Sequence, residues 1–215
     1  AAQAAETNGA DGLMLLPPMR YKATDEETVQ YFAAIAQSTK LPIMIYNNPV
    51  DYKIEVTLDM FHQLQQYKNI QAVKESTRDI SNVTRMINRF GSRYQILCGV
   101  DTLAMESLVM GADGWVAGLV DAFPKETVAV FAYTKAGKID EALTIYRWFL
   151  PLLELDISPQ LVQNIKQCEI ATGIGTGYVR KPRLVLKGAE RIRVQKIIDD
   201  SLASRPDLGN YKTYL

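Results

Sequence analysis

The sequence predicts an α/β fold built on a parallel sheet, and three observations predict it. Five short apolar runs, at 12–16, 42–46, 70–74, 94–98 and 115–117, read as buried strands. The segments between them carry apolar residues at helical spacing: Val29, Phe32, Ala33 and Ile35 within 26–38, and Met60, Phe61 and Leu64 within 58–67. The turn Gly9-Ala10-Asp11-Gly12 recurs as Gly111-Ala112-Asp113-Gly114, each copy closing a helix and opening a strand. Strands joined one after another by single helices pair in parallel through right-handed crossovers.

The strand at 12–16 follows the first of these turns, and those at 42–46 and 70–74 each end in a polar turn. The run at 94–98 leads into Gly99-Val100-Asp101, and Trp115-Val116-Ala117 follows the second copy of the turn. Beyond it helices take over, at 125–136, 139–153, 159–172 and 189–202. Asp140-Glu141 supply the acidic first turn that a helix dipole favours. Trp148, Phe149 and Leu152 in this helical layer form a candidate subunit contact, since aromatic side chains are enriched at interfaces. A closed eight-stranded barrel takes about 250 residues, so five strands describe either a barrel shortened at its N-terminus or an open sheet.

At 215 residues, 47% of them hydrophobic and 22% charged, the chain can bury a sizeable core. Basic and acidic residues balance at 24 each, so no global field draws it to nucleic acid or an anionic membrane. Cys98 and Cys168 lie apart in apolar settings, which excludes a disulfide framework or zinc cluster. With no apolar run of membrane-spanning length and no signal-peptide pattern, the expectation is a soluble, cytoplasmic protein.

Three strand ends could carry chemistry. Lys74 closes Ile70-Gln71-Ala72-Val73 and precedes Glu75-Ser76-Thr77. Ligands bind beyond the carboxyl ends of parallel strands. There an apolar approach disfavours the ammonium form and frees the amine to attack carbonyl carbon. The segment alone is equally compatible with a lysine snorkelling to solvent. Tyr46 ends a second strand before Asn47-Asn48-Pro49, where its phenol could relay protons or simply pack with a wet tip. Gly99 allows a ligand close to the backbone, and Asp101 reads first as the cap of the helix that follows.

Together, Tyr46-Asn47-Asn48-Pro49, Lys74-Glu75-Ser76, Gly99-Val100-Asp101 and Gly111-Ala112-Asp113-Gly114 resemble the successive signatures of the dihydrodipicolinate synthase and N-acetylneuraminate lyase family. The resemblance implies a (βα)8 TIM barrel with a C-terminal helical layer. Strands four to eight would fall in 1–124, and the final barrel helix and helical layer in 125–215. It implies a homotetramer and no metal or organic cofactor, only a covalent imine on Lys74. By the same resemblance Tyr46 relays protons, and Gly99, Asp101 and the Val116 backbone line the pocket.

The chain departs from the family pattern in three places. The Gly-Thr-Thr/Ser-type loop that binds the oxo acid's carboxylate has no counterpart here. The synthases' carboxylate-holding arginine is replaced by Asp51, and Arg20 occupies the place of a tyrosine contributed across a dimer interface, with Tyr21 next to it. Asn47-Asn48-Pro49-Val50-Asp51-Tyr52 with Lys74-Glu75-Ser76-Thr77-Arg78-Asp79 is most similar to members that deaminate 1-pyrroline-4-hydroxy-2-carboxylate in hydroxyproline breakdown. The alternatives are a 4-hydroxy-tetrahydrodipicolinate synthase or other pyruvate-dependent aldolase, and, from another class, a catalytically silent fragment or binding module.

Other signals carry less. Gly173-Ile174-Gly175-Thr176-Gly177 lacks the strand-then-helix context of a phosphate loop. His62, the sole histidine, makes neither a metal site nor a triad. Arg180-Lys181-Pro182-Arg183 is too short a basic cluster for nucleic-acid binding.

Overall fold

A computed structural model describes residues 1–18, 20 and 22–215. They form two compact units, Ala1–Val100 with Met110–Val116, and Asp101–Val109 with Ala117–Leu215. The first contains α1 (Ala2–Thr7), β1 (Leu13–Leu15), α2 (Asp25–Ser38), β2 (Ile43–Asn47), α3 (Pro49–Tyr52), α4 (Leu58–Leu64), β3 (Ile70–Glu75), α5 (Ser81–Phe90), β4 (Gln95–Cys98) and β5 (Gly114–Trp115). The second contains α6 (Ala104–Val109), α7 (Pro124–Lys135), α8 (Ile139–Leu153), α9 (Leu161–Thr172) and α10 (Gly188–Ala203).

All five strands pair in parallel in the order β1-β2-β3-β4-β5. Strand order that follows chain order marks a sheet wound in one direction, as in a (βα)8 barrel, and lacks the reversal of a doubly wound sheet. The sheet is therefore an arc of the expected barrel.

Alternation along the strands separates two faces. Ile43, Ile45, Val73 and Ile96 point towards Phe32 and Ala36 of α2, Met60, Phe61 and Leu64 of α4, and Val83 and Met86 of α5, which together form the buried core. The other face carries Met44 and Tyr46 of β2 and, in register with Tyr46, Lys74. Thr24 accepts from the Glu27 amide while the Glu27 side chain accepts from the Thr24 amide, a capping box that starts α2. The repeated turn meets its conformational demand, with Gly9 at φ +83° and Gly111 at φ +109°.

Two expectations are corrected. The helix expected over 58–67 ends at Leu64, and Arg93 takes up carbonyls of the turn that follows. Its guanidinium donates to Gln65 O through Nε and Nη2 (3.2 and 2.9 Å), to Tyr67 O (2.9 Å) and to Ile70 O (2.8 Å). It also stacks 4.6 Å over the Tyr94 ring. In the second unit Phe149 and Leu152 are fully buried inside the unit's own core, and Trp148 stacks on Phe149 and donates Nε1–H to Ser201 O at 2.7 Å. Phe149 and Leu152 are therefore core residues; their aromatic and apolar character serves the packing of α8. Among the described residues no helix is long and apolar enough to cross a membrane.

Because the planar fork of Arg93 serves three carbonyls, lysine is no substitute for it. Arg93→Lys is expected to lower unfolding free energy by about 1–3 kcal/mol, read as a lower urea midpoint at unchanged slope.

Candidate active site

The carboxyl ends of β2 and β3 bring Tyr46 and Lys74 together. They are register partners, and Lys74 Nζ lies 4.2 Å from the centroid of the Tyr46 ring. A cation at that distance over a phenol face is held by the ring quadrupole, so the amine and the phenol are confined to one small volume. Gly99, immediately after β4, supplies the remaining space. A Cβ there would lie 2.7 Å from Lys74 Cγ, 2.8 Å from Lys74 Cε and 2.1 Å from Ser76 Oγ. Glycine leaves room at this position for the Ser76 hydroxyl and the lysine side chain together. Ser76 is itself buried, and its Oγ has no hydrogen-bond partner among the described residues.

One residue further along both strands, the side chains turn to the opposite face and form a buried polar knot. Glu75 Oε2 accepts from Asn82 Nδ2 of α5 (2.9 Å) and Asn47 Nδ2 (3.4 Å), and Oε1 accepts from the Thr77 amide (2.8 Å). Burial pushes the Glu75 carboxyl above its ordinary range, while the bonds from Thr77, Asn82 and Asn47 oppose that rise. Asn47 also clasps the backbone of Val56, donating to its carbonyl (3.1 Å) and accepting from its amide (2.9 Å). Main-chain bonds complete the frame: Ser76 N–H to Asn47 O and Gly99 N–H to Glu75 O, both 2.8 Å. Asn47 and Glu75 stand within the Tyr46 and Lys74 motifs, yet the sequence alone assigns them no part in the site. Their signal was the period of two, which sends each neighbour of a site residue to the side facing the helices.

The loop after β2 wraps Tyr46. Pro49 at the first turn of α3 fixes the backbone. Asn48, 6% exposed, caps α3 by accepting from the Asp51 amide (3.3 Å) through Oδ1. Its Nδ2 donates to Asp51 Oδ2 (2.7 Å) and to the Tyr46 phenol oxygen (3.2 Å). Tyr52 packs edge-on against the Tyr46 ring, with centroids 5.4 Å apart. Burial first, then the neighbouring Tyr46 and Asp51, holds the Tyr52 phenol above its ordinary range. Asp51 itself is exposed.

Of the other anticipated residues, Val116 follows β5 and donates its amide to Cys98 O at 2.8 Å. Asp101 belongs to the second unit, where it is buried. Its Oδ2 accepts from the Leu119 amide (3.0 Å) and its carbonyl from the Tyr146 hydroxyl (2.9 Å), a long-range tie that a local capping motif does not reveal. Tyr21 lies outside the described residues, and Arg20 falls in a turn before α2. His62 is on the surface, its Nδ1 2.9 Å from Gln65 Nε2. Gly173, at φ +73°, ends α9 in the left-handed conformation, so the glycine-rich stretch begins as a helix stop. At the amino ends of the strands, opposite Lys74, a cavity of about 410 Å³ is lined by residues such as Leu13, Met14, Met44, Gln71 and Gln95, none of them titratable. The chemistry-bearing side chains are at the carboxyl ends.

A family model described as the dihydrodipicolinate synthetase family matches residues 1–201. A 4-hydroxy-tetrahydrodipicolinate synthase of Methanococcus maripaludis strain S2 is 29% identical over 200 residues, which cover 93% of this chain and 68% of the relative. One from Geotalea daltonii is 27% identical over 195 residues, covering 89% of this chain and 66% of the relative. The chain thus spans about two-thirds of the length of these relatives. Among solved structures, the 4-hydroxy-tetrahydrodipicolinate synthase of Methylacidiphilum fumariolicum SolV superposes with a TM-score of 0.85 at 27% identity, covering 96% of this chain and 70% of its own. A dihydrodipicolinate synthase of Bacillus anthracis gives 0.86 at 27%, covering 92% and 68%. The sialic acid aldolase of Ruminococcus gnavus shares the fold, with a TM-score of 0.82 at 24% identity, covering 95% and 70%. A match running through nearly all of the sequence, on a sheet wound in one direction with a lysine and a tyrosine paired at its carboxyl ends, makes this chain a member of the dihydrodipicolinate synthetase family.

Proposed function

We propose that the protein is a lyase whose Lys74 forms an imine with C2 of a small 2-oxo acid or cyclic imine carboxylate. The observation that carries this reading is the pairing of Lys74 Nζ with the Tyr46 ring, 4.2 Å apart at the carboxyl ends of adjacent parallel strands. The amine attacks the carbonyl carbon, and loss of water from the carbinolamine leaves an imine that withdraws electrons from the adjoining carbon. Tyr46, against the amine, carries protons to and from the departing oxygen and that carbon. No metal or organic cofactor enters this scheme, because the protonated imine is itself the electron sink.

Asp51 favours a substrate with a single carboxylate, since its acid lies beside Asn48 and Tyr46 where a second carboxylate would be repelled. This supports 1-pyrroline-4-hydroxy-2-carboxylate. Lys74 adds to C2, the C2–N bond opens, and elimination of the 4-hydroxyl as water follows. Hydrolysis then releases ammonia and 2-oxoglutarate semialdehyde, with net uptake of one water. A second reading, 4-hydroxy-tetrahydrodipicolinate synthesis from pyruvate, is favoured by the activity named for the curated relatives.

Incubation with pyruvate, and separately with the hydroxypyrroline carboxylate, followed by borohydride, is expected to leave a reduced adduct. Peptide mapping should find it on Lys74, and Lys74→Ala should abolish it. A folded protein that traps neither compound rules out the Schiff-base reading and leaves the catalytically silent one. The compound turned over after trapping identifies the substrate class. Tyr46→Phe should lower turnover by about 10² to 10⁴-fold while the adduct still forms. Gly99→Ala, which displaces the lysine chain, should slow adduct formation by about 10²-fold, measured as the rate of mass gain under borohydride.

A further inference from the structure

Asn48 is the one buried side chain, among those described around Tyr46, that hydrogen-bonds the phenol oxygen. An amide can be turned either way about its terminal bond, and here the surroundings fix the choice. The Asp51 amide N–H needs an acceptor, which must be Oδ1 (3.3 Å). The Asp51 carboxylate needs a donor, which must be Nδ2 (2.7 Å). With both settled by one residue, the group 3.2 Å from the Tyr46 oxygen is the amide NH2. It carries no lone pair for a phenol proton to enter, so the phenol oxygen is the acceptor and its own O–H must point elsewhere.

The remaining directions around the ring narrow that choice. Tyr52 closes one edge with an aromatic contact, and Lys74 Nζ lies over the face. We infer that Asn48 is a positioning residue: by donating to the Tyr46 oxygen it keeps the phenol proton free for the molecule that Lys74 holds. The inference deepens the imine reading of Lys74 and rests on it for its functional meaning. Asn48 does not touch the reacting atoms. It sets the direction of the hydrogen bond at the group that does, and it steadies negative charge on that oxygen once the proton has left. Asp51 has a part in the same device, since it is the exposed anchor that holds the Asn48 amide in its orientation.

Two substitutions separate this role from mere support of the loop. Asn48→Ser keeps a side-chain oxygen able to cap α3 but withdraws the amide donor. Asn48→Asp also keeps a good cap and reverses the polarity at Tyr46, because a carboxylate draws the phenol proton towards itself. Asn48→Ser is expected to melt close to the parent, which confirms an intact loop, while Asn48→Asp, whose carboxylate faces that of Asp51, is expected to melt lower and is studied well below its own midpoint. In protein carrying ¹³Cζ-labelled tyrosine, free of any ligand, the Tyr46 resonance is assigned by its loss in Tyr46→Phe. It is expected to move in both Asn48 variants. With pyruvate as probe, exchange of the methyl protons into deuterated water should slow by about three- to tenfold in Asn48→Ser and further in Asn48→Asp, in kcat with KM unchanged.

A Tyr46 resonance that stays in place in both variants overturns the inference, whether or not pyruvate reacts. A resonance that moves while exchange keeps its parental rate overturns it too, because the contact would then have no effect on the proton. If the parent protein neither exchanges pyruvate protons nor forms the Lys74 adduct, the imine reading fails, and the resonance alone decides whether Asn48 holds the phenol.

Discussion

The parallel register between β2 and β3 is the constraint on which the site depends. It sets Tyr46 opposite Lys74 and Asn47 opposite Glu75. Since side chains alternate between faces, this one alignment separates the Lys74–Tyr46 pair from the polar knot behind it. A slip by one residue would send the lysine into the core and the knot into the open. The knot opposes such a slip. Buried Glu75 takes donors from Thr77 and Asn82, which follow it in the chain, and from Asn47 across the register, and a slip would remove the last of these. Desolvation of an unpartnered carboxylate would oppose every other arrangement.

The fold was legible in the sequence because its strands are short apolar runs bounded by polar turns, and its helices keep a clear apolar stripe. All five strands lie within one or two residues of where the runs place them, and the left-handed glycines of the repeated turn are where the repetition puts them. What could not be read was side-chain traffic across the chain. The carbonyls beyond the early end of α4 are taken up by Arg93, distant in sequence, and nothing in 58–67 announces it. Phe149 and Leu152 of α8 carry the same sequence signal whether they meet a partner subunit or their own core, and burial decided for the core.

At the candidate site, the nearness of Lys74, Tyr46 and Gly99 was legible because all three lie at the carboxyl ends of neighbouring parallel strands. The partners of Asn47, Glu75 and Asn48 were not. Asparagine and glutamate beside a turn ordinarily serve the turn itself, and only the three-dimensional partners separate that use from another. Asp101 shows the converse. Its local context suggests a cap, whereas its carboxylate and carbonyl reach Leu119 and Tyr146 far along the chain. Membership of the family narrows the chemistry available to this scaffold, while the fold alone does not choose a substrate.

The clasp of Asn47 on Val56 has a further consequence. Both backbone groups of Val56 are taken by one side chain at the end of β2, so the intervening loop is fastened at its two ends to the sheet. Between these anchors the chain makes a short helix and a left-handed turn at Lys53, and its residues are partly or largely exposed apart from Asn48 and Ile54. The loop is thus suspended between two fixed points, and the outer residues within it can change without moving the ends of the strands that carry Tyr46 and Lys74.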